Sequence, residues 1–125
     1  MTPKKILFAN VPFDGHFNPL TPLAIHLLEQ GHDVRWYTGT VYADRVKKLG
    51  IRFYPTARAL DLSQDNLNEL LPERLSFKSP VAKLKYDLKH AFILRSTEYF
   101  EDIAEINKSF YFDLMMTKIV GRSDW

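Results

Sequence analysis

Apolar residues fall along this chain in two alternating rhythms. Residues 5–11 (Lys-Ile-Leu-Phe-Ala-Asn-Val) are nearly continuously apolar, as a strand buried on both faces of a parallel sheet requires. Leu20, Leu23, Ala24, Leu27 and Leu28 then recur at i, i+3, i+4, i+7 and i+8, one stripe of a helix. Asn18 with Pro19 offers one start for that helix, Thr21 with Pro22 a second one turn later, and Gly31 supplies the stop. Residues 33–38 (Asp-Val-Arg-Trp-Tyr-Thr) predict a second strand. Thr40 is the expected cap of a short helix that runs through Val46 and Leu49 to Gly50. Residues 51–54 form a third strand ending at Pro55. This rhythm is a βαβαβ unit: a parallel sheet flanked by helices and joined by right-handed crossovers.

After Pro55 the pattern loosens. Residues 65–71 predict a short helix before Pro72, and Ser79-Pro80 opens a long one. Its stripe of Val81, Leu84, Leu88, Phe92, Tyr99, Ile103 and Ile106 reaches almost to Asn107. Residues 112–117 then form a fourth strand. A sheet left there has an open parallel edge, so the chain is expected to be the front part of a larger protein.

Composition narrows the function classes. The 125 residues fit one domain at most, and 46% hydrophobic content is enough for a core. A net charge of +2, with Lys83, Lys85 and Lys89 spread along a solvated helix side, argues against nucleic-acid binding. The absence of cysteine removes disulfides, thiolate metal sites and Cys nucleophiles, and fits a reducing cytoplasm. Lys4-Lys5 and the short apolar run behind it lack a cleavage pattern, and no apolar stretch is long enough to span a bilayer. The expectation is a cytoplasmic chain with no membrane partner.

The chemistry concentrates in the segment Asp14-Gly15-His16-Phe17-Asn18-Pro19-Leu20, between the first strand and the first helix. Open α/β sheets place ligands beyond the carboxyl ends of their strands, and an imidazole there can accept a proton near neutral pH. A dinucleotide site is not expected. The turn has one glycine where the fingerprint needs three, and the second strand runs into Thr38-Gly39-Thr40 with no acidic residue for a ribose. No Gly-Lys-Ser/Thr follows any strand, so there is no P-loop. The histidines show no metal-ligand spacing: His26 points away from the apolar stripe, His32 sits in the turn before the second strand, and His90 has no ligand at i+4.

Three runs carry a resemblance: Gly-His-Phe-Asn-Pro-Leu (15–20), Leu-Ala-Ile-His-Leu-Leu-Glu-Gln-Gly-His-Asp-Val (23–34) and Asp-Arg-Val-Lys-Lys-Leu-Gly-Ile (44–51). In register behind the first strand, they make residues 5–54 resemble the amino-terminal end of GT-B-fold glycosyltransferases. The nearest type is the UDP-dependent family of macrolide, flavonoid and glucuronosyl transferases. The resemblance implies the incomplete N-terminal half of a GT-B fold, with residues 1–125 as a truncated Rossmann-like acceptor domain. The nucleotide-sugar domain would be a missing partner, in cis or in trans.

It further implies His16 as the general base toward a hydroxyl of a small hydrophobic acceptor. A UDP-sugar would be the co-substrate, with no metal or other cofactor. Phe13, Gly15, Phe17 and Asn18 become acceptor-side candidates. Phe13 and Phe17 would form an apolar wall, Gly15 would allow close approach, and Asn18 would open a helix with free N–H groups. Taken alone, the loop favours a plainer role for His16, a polar residue bonding a helix N-terminus; the flanking runs tip the balance to the base. One departure stands out. The family orients its base with an Asp just after the fourth strand; Asp113 matches the strand-entry residue, but Lys118 occupies the orienting position. An ammonium cannot accept the Nδ1–H of a histidine. Together with the missing half, Lys118 supports an alternative: a non-catalytic ligand-binding or split-protein module of the same fold. A third possibility is an unrelated flavodoxin-like interaction domain.

Overall fold

The computed structural model describes residues 2–63, 66–93 and 96–117. Four parallel strands, β1 (Lys5–Ala9), β2 (Asp33–Thr38), β3 (Arg52–Pro55) and β4 (Leu114–Met116), lie in the order β3-β2-β1-β4. The most apolar strand, β1, takes a central place, with Ile6, Leu7 and Phe8 at most 2% exposed. Both of its faces are covered, which is why it shows no alternation of apolar and polar residues.

On one face, α1 (Asp14–Phe17), α2 (Thr21–Glu29) and α3 (Ala43–Lys48) supply Phe17, Ala24 and Val46 to a core with Ile6, Phe8, Val34 and Trp36. Phe17 lies stacked on Trp36 at 4.6 Å and on Tyr42 at 4.3 Å, both measured between ring centroids. The indole N–H of Trp36 donates to Asn10 Oδ1 at 2.6 Å, so this large ring is buried without an unsatisfied donor. Asn10, which breaks the apolar run of the first strand, serves that bond.

The opposite face is covered by the last helix, α6 (Ser96–Ser109), whose Ile106 packs with Phe110 against Leu7, Ala9 and Tyr37. Between β3 and α6 lies an excursion with α4 (Leu67–Leu70) and α5 (Pro80–Asp87), built on Leu62 and Leu71 and tied by the Arg74–Asp87 ion pair at 2.8 Å. A π-helical stretch, Leu88–Ile93, follows α5. Ser79 caps α5 as expected, its hydroxyl accepting from Ala82 N–H.

Several expectations change. The segment after β1 is helical from Asp14 onward, so Asn18 is no cap: its φ/ψ of −60/−42° is helical and its N–H donates to Asp14 O. α2 itself begins at the later of the two expected starts, Thr21. Gly39, not Thr40, precedes the short turn into α3, because the Thr40 hydroxyl bonds Asp61 instead. Val81 and Leu84, expected on the buried stripe, are 61% and 57% exposed. Gly31 and Gly50 end their helices with φ of +91° and +78°, the conformation for which glycine is preferred.

Gly39 is needed for a different reason: close approach. A Cβ there would come within 2.5 Å of Pro12 Cβ and 3.1 Å of Leu62 O. Gly39→Ala is therefore expected to cost about 1–3 kcal/mol through overpacking. Urea unfolding checks this, and a midpoint equal to that of the parent chain would refute the contact.

Candidate functional site

The carboxyl ends of β1, β2 and β4 bring the candidate residues to one rim of the sheet. His16 sits there on α1, half-buried, its N–H bonded to Phe13 O at 2.9 Å. The turn is held from the side: Asp14 Oδ1 accepts from Tyr42 Oη at 2.8 Å and from Arg45 Nη1 at 3.4 Å. Phe17, one residue further, anchors it from below.

That anchoring corrects the expected acceptor wall. Phe17 is 2% exposed, with Trp36 and Tyr42 stacked against it, so it is core and presents no surface to a ligand. Asn18 is exposed, but its N–H is consumed within the helical turn, which removes the free donors expected at that position. Gly15 is exposed, and a Cβ there would meet nothing within 4 Å, so packing within the chain does not demand glycine. Phe13 is half-buried and extended at φ −133°, preceding the turn. Lys118 lies outside the described residues.

Of the other histidines, His26 and His32 are placed as expected, while His90 falls in the π-helical stretch after α5. His26 is exposed. His32 is buried, its Nδ1 accepting from Lys4 N–H at 2.9 Å, a structural role. His90 stacks on Tyr86 at 4.1 Å. Asp113 fastens β4 to β1: its carboxylate accepts from Lys5 N–H at 2.8 Å, and its own N–H donates to Lys5 O at 2.7 Å. Among the described residues no group of three or more His, Asp or Glu side chains is arranged to hold a metal, and no helix is long and apolar enough to cross a membrane.

The sheet order reverses direction between β1 and β4. Helices α2 and α3 lie on one face and α6 on the other, so the ends of these two strands flank the point where ligands collect in open α/β sheets. A crevice of about 170 Å³ opens there. Ala9 at the end of β1 and Asn10 and Val11 just after it line the crevice, with Met115 from β4 and Thr117 just after it, Tyr37 from β2, and Tyr99 and Ile103 from α6. His16 is not among these lining residues; it belongs to the turn that leaves β1 toward the opposite face.

A buried carboxylate organises this rim, and the sequence reading missed it. Asp102 on α6 is 4% exposed. It accepts from Tyr37 Oη at 2.6 Å and from the N–H groups of Ala57, Arg58 and Ala59 at 3.0, 2.8 and 3.2 Å. Burial pushes its carboxyl up, but the Tyr37 hydroxyl and the three amides outweigh that and hold it below the usual carboxylate range. Tyr37, buried and bonded to a carboxylate, is pushed well above an ordinary phenol. A signal was present in the sequence: Asp102 falls three residues after Tyr99 and four before Ile106, an acid on the apolar stripe. The fixed loop continues to Asp61, which accepts from Thr40 N–H at 3.0 Å and Thr56 Oγ1 at 3.2 Å.

Comparison with known proteins adds the decisive observation. Over 113 residues the chain is 28% identical to 4'-demethylrebeccamycin synthase of Lentzea aerocolonigenes, covering 90% of this chain and 27% of that protein. It is 23% identical over 112 residues to UDP-glucosyltransferase B1 of Starmerella bombicola, covering 90% of this chain and 26% of that protein. Its homologues are glycosyltransferases. No protein-family model matches the chain. Among solved structures, CalG4, the calicheamicin glycosyltransferase, superposes with a TM-score of 0.67 at 24% identity, covering 92% of this chain and 26% of that one. The kitacinnamycin glycotransferase gives a TM-score of 0.62 at 18% identity, covering 90% and 24%. The architecture is thus that of a segment of a GT-B glycosyltransferase. The chain spans about a quarter of the length of the relatives it matches.

The Asp102 cluster predicts a pH dependence. The folded-state pKa is depressed, so the unfolded chain, near about 3.9, binds the proton first as pH falls. The contribution of Asp102 is complete above that value and is lost as pH drops through the folded-state pKa. Asp102→Asn is expected to cost about 2–4 kcal/mol at neutral pH by stranding donors, and to flatten the loss of stability below about pH 4. Urea midpoints between pH 7 and pH 3 measure both; an unchanged acid slope in the variant would exclude this role.

Proposed function

We propose that this chain is the acceptor-side, amino-terminal part of an inverting UDP-dependent glycosyltransferase, with His16 as its general base. The observation that carries the reading is a half-buried histidine on the turn after β1, at the ligand-collecting rim of a sheet whose homologues are glycosyltransferases. In this reading an acceptor hydroxyl attacks the anomeric carbon of a UDP-sugar. The new C–O bond forms as the bond to the diphosphate oxygen breaks on the opposite face, and the hydroxyl proton passes to the imidazole. Asp14, Tyr42 and Arg45 support this role by fixing the turn that carries the base.

The donor half supplies the groups that stabilise the leaving diphosphate, and its share of the relatives' length is not in this chain. The 125-residue chain alone is therefore proposed to be inactive in transfer, the nucleotide sugar being held by a partner domain in cis or in trans. Lys118, standing where the family has an orienting acid, favours the second reading, a ligand-binding module of the same fold without catalysis.

His16→Ala separates the two. In a polypeptide joining this segment to a nucleotide-sugar half, the substitution is expected to lower kcat by about 10²–10⁴-fold with an unchanged melting temperature. Full transfer by the variant would overturn the base assignment. Transfer from UDP-glucose to a phenolic acceptor by the 125-residue chain alone would overturn the need for a donor half.

A further inference from the structure

Helix α5 carries apolar residues on its outer side. Tyr86 and Asp87 are turned into the excursion: the Tyr86 ring lies 5.3 Å from that of Phe77, and Asp87 pairs with Arg74 at 2.8 Å. At roughly 100° per residue, Val81 and Leu84 fall on the opposite side of the helix. Both stay in water, 61% and 57% exposed. Leu75, in the turn Pro72–Ser76 that contacts α5, is 60% exposed. Burying these aliphatic groups would be favourable, so the face suits a partner.

The charge around them says which partner fits. Between residues 74 and 90 the chain has five cations, Arg74, Lys78, Lys83, Lys85 and Lys89, and one acid, Asp87. The Arg74–Asp87 pair neutralises itself, so four lysines set the sign, with Lys78, Lys85 and Lys89 exposed. Such a surface complements a negative one. The groups that protein interfaces favour, here Phe77, Tyr86 and Arg74, are half-buried and engaged within the excursion. What faces outward is valine, leucine and lysine. Lysine is depleted at protein interfaces but suits a lipid headgroup layer, where its stem lies along apolar groups and its ammonium reaches phosphate. No helix among the described residues is long and apolar enough to cross a membrane, but a helix lying in the plane of the surface needs only one apolar side.

We propose that α5 and the turn before it form a docking surface for an anionic lipid bilayer. Val81 and Leu84 enter the headgroup boundary, and Lys78, Lys85 and Lys89 face the lipid phosphates. Docking of this kind goes beyond glycosyl transfer and needs neither His16 nor a nucleotide sugar. It departs from the expectation of no membrane partner, which rests on spanning and leader segments that a peripheral helix does not use.

Co-sedimentation of the 125-residue chain with vesicles tests it. Binding to vesicles of equal parts phosphatidylcholine and phosphatidylglycerol is expected to be at least about tenfold stronger than to phosphatidylcholine alone. It is expected to weaken by a similar factor when the ionic strength rises from about 0.1 M to about 1 M. Lys78→Glu combined with Lys85→Glu is expected to weaken it at least about tenfold. Val81→Ser combined with Leu84→Ser changes two largely exposed positions. The variant is expected to keep its circular dichroism and to bind about tenfold more weakly. Should it lose its fold, Leu84→Trp replaces it, with tryptophan emission expected to move to shorter wavelength on adding the mixed vesicles. No preference for anionic vesicles, binding unaffected by the lysine substitutions, folded serine variants bound as tightly as the parent, or emission unmoved by vesicles would each overturn the proposal. Binding to poly-glutamate with the same dependence on Val81 and Leu84 would overturn the lipid assignment in favour of an acidic protein.

Discussion

Asp102 places a carboxylate where water barely reaches, and the loops at the strand-end rim are arranged around satisfying it. Its four donors come from the last helix's neighbours on both sides: the hydroxyl of Tyr37 in β2 and three successive amides just after β3. A buried charge is tolerated only when its lone pairs are filled, so the loop at residues 57–59 has little freedom to be elsewhere. Because that loop is fixed, Asp61 can hold Thr40, and the carbonyl of Leu62 can lie against Gly39. One charge on α6 thus couples the end of β2 to the loop that follows β3.

The two faces of the sheet carry different tasks. The Trp36 face is an aromatic stack that supports the His16 turn from beneath, with Phe17 as the link between the loop and the core. The Tyr37 face packs on α6 and leaves a crevice at the strand ends. The His16 turn thus lies on one side of the strand ends and the apolar recess on the other. Beyond the rim, β4 is an edge strand with Leu114 52% exposed, fastened to β1 by the two bonds between Asp113 and Lys5.

Much of the architecture was legible because burial on both faces leaves a direct trace in sequence. The continuous apolar run at 5–11, the helical stripe from Leu20 and the glycines at 31 and 50 each point to one local structure, and each forms. Legibility fails where a side chain has two possible partners. Asn18 and Thr40 are good caps by type, but the helical turn reaches back to Asp14 and the Thr40 hydroxyl finds Asp61 instead. Phe17 reads from sequence as a ligand wall beside the base; only the stack with Trp36 and Tyr42, 19 and 25 positions further along the chain, turns it inward.

The sequence by itself determined the strand and helix order, the parallel sheet and the position of His16 on the turn after the first strand, because these follow from local periodicity and short-range turn chemistry. Only the tertiary structure decided which polar residues serve the core. Asp102 meets its partners 43 to 65 residues away, and Asn10 meets Trp36 at a separation of 26. Such pairings are set by strand order and helix placement, which no local window contains. The crevice exists for the same reason: its walls come from four elements that meet only where the sheet reverses its winding.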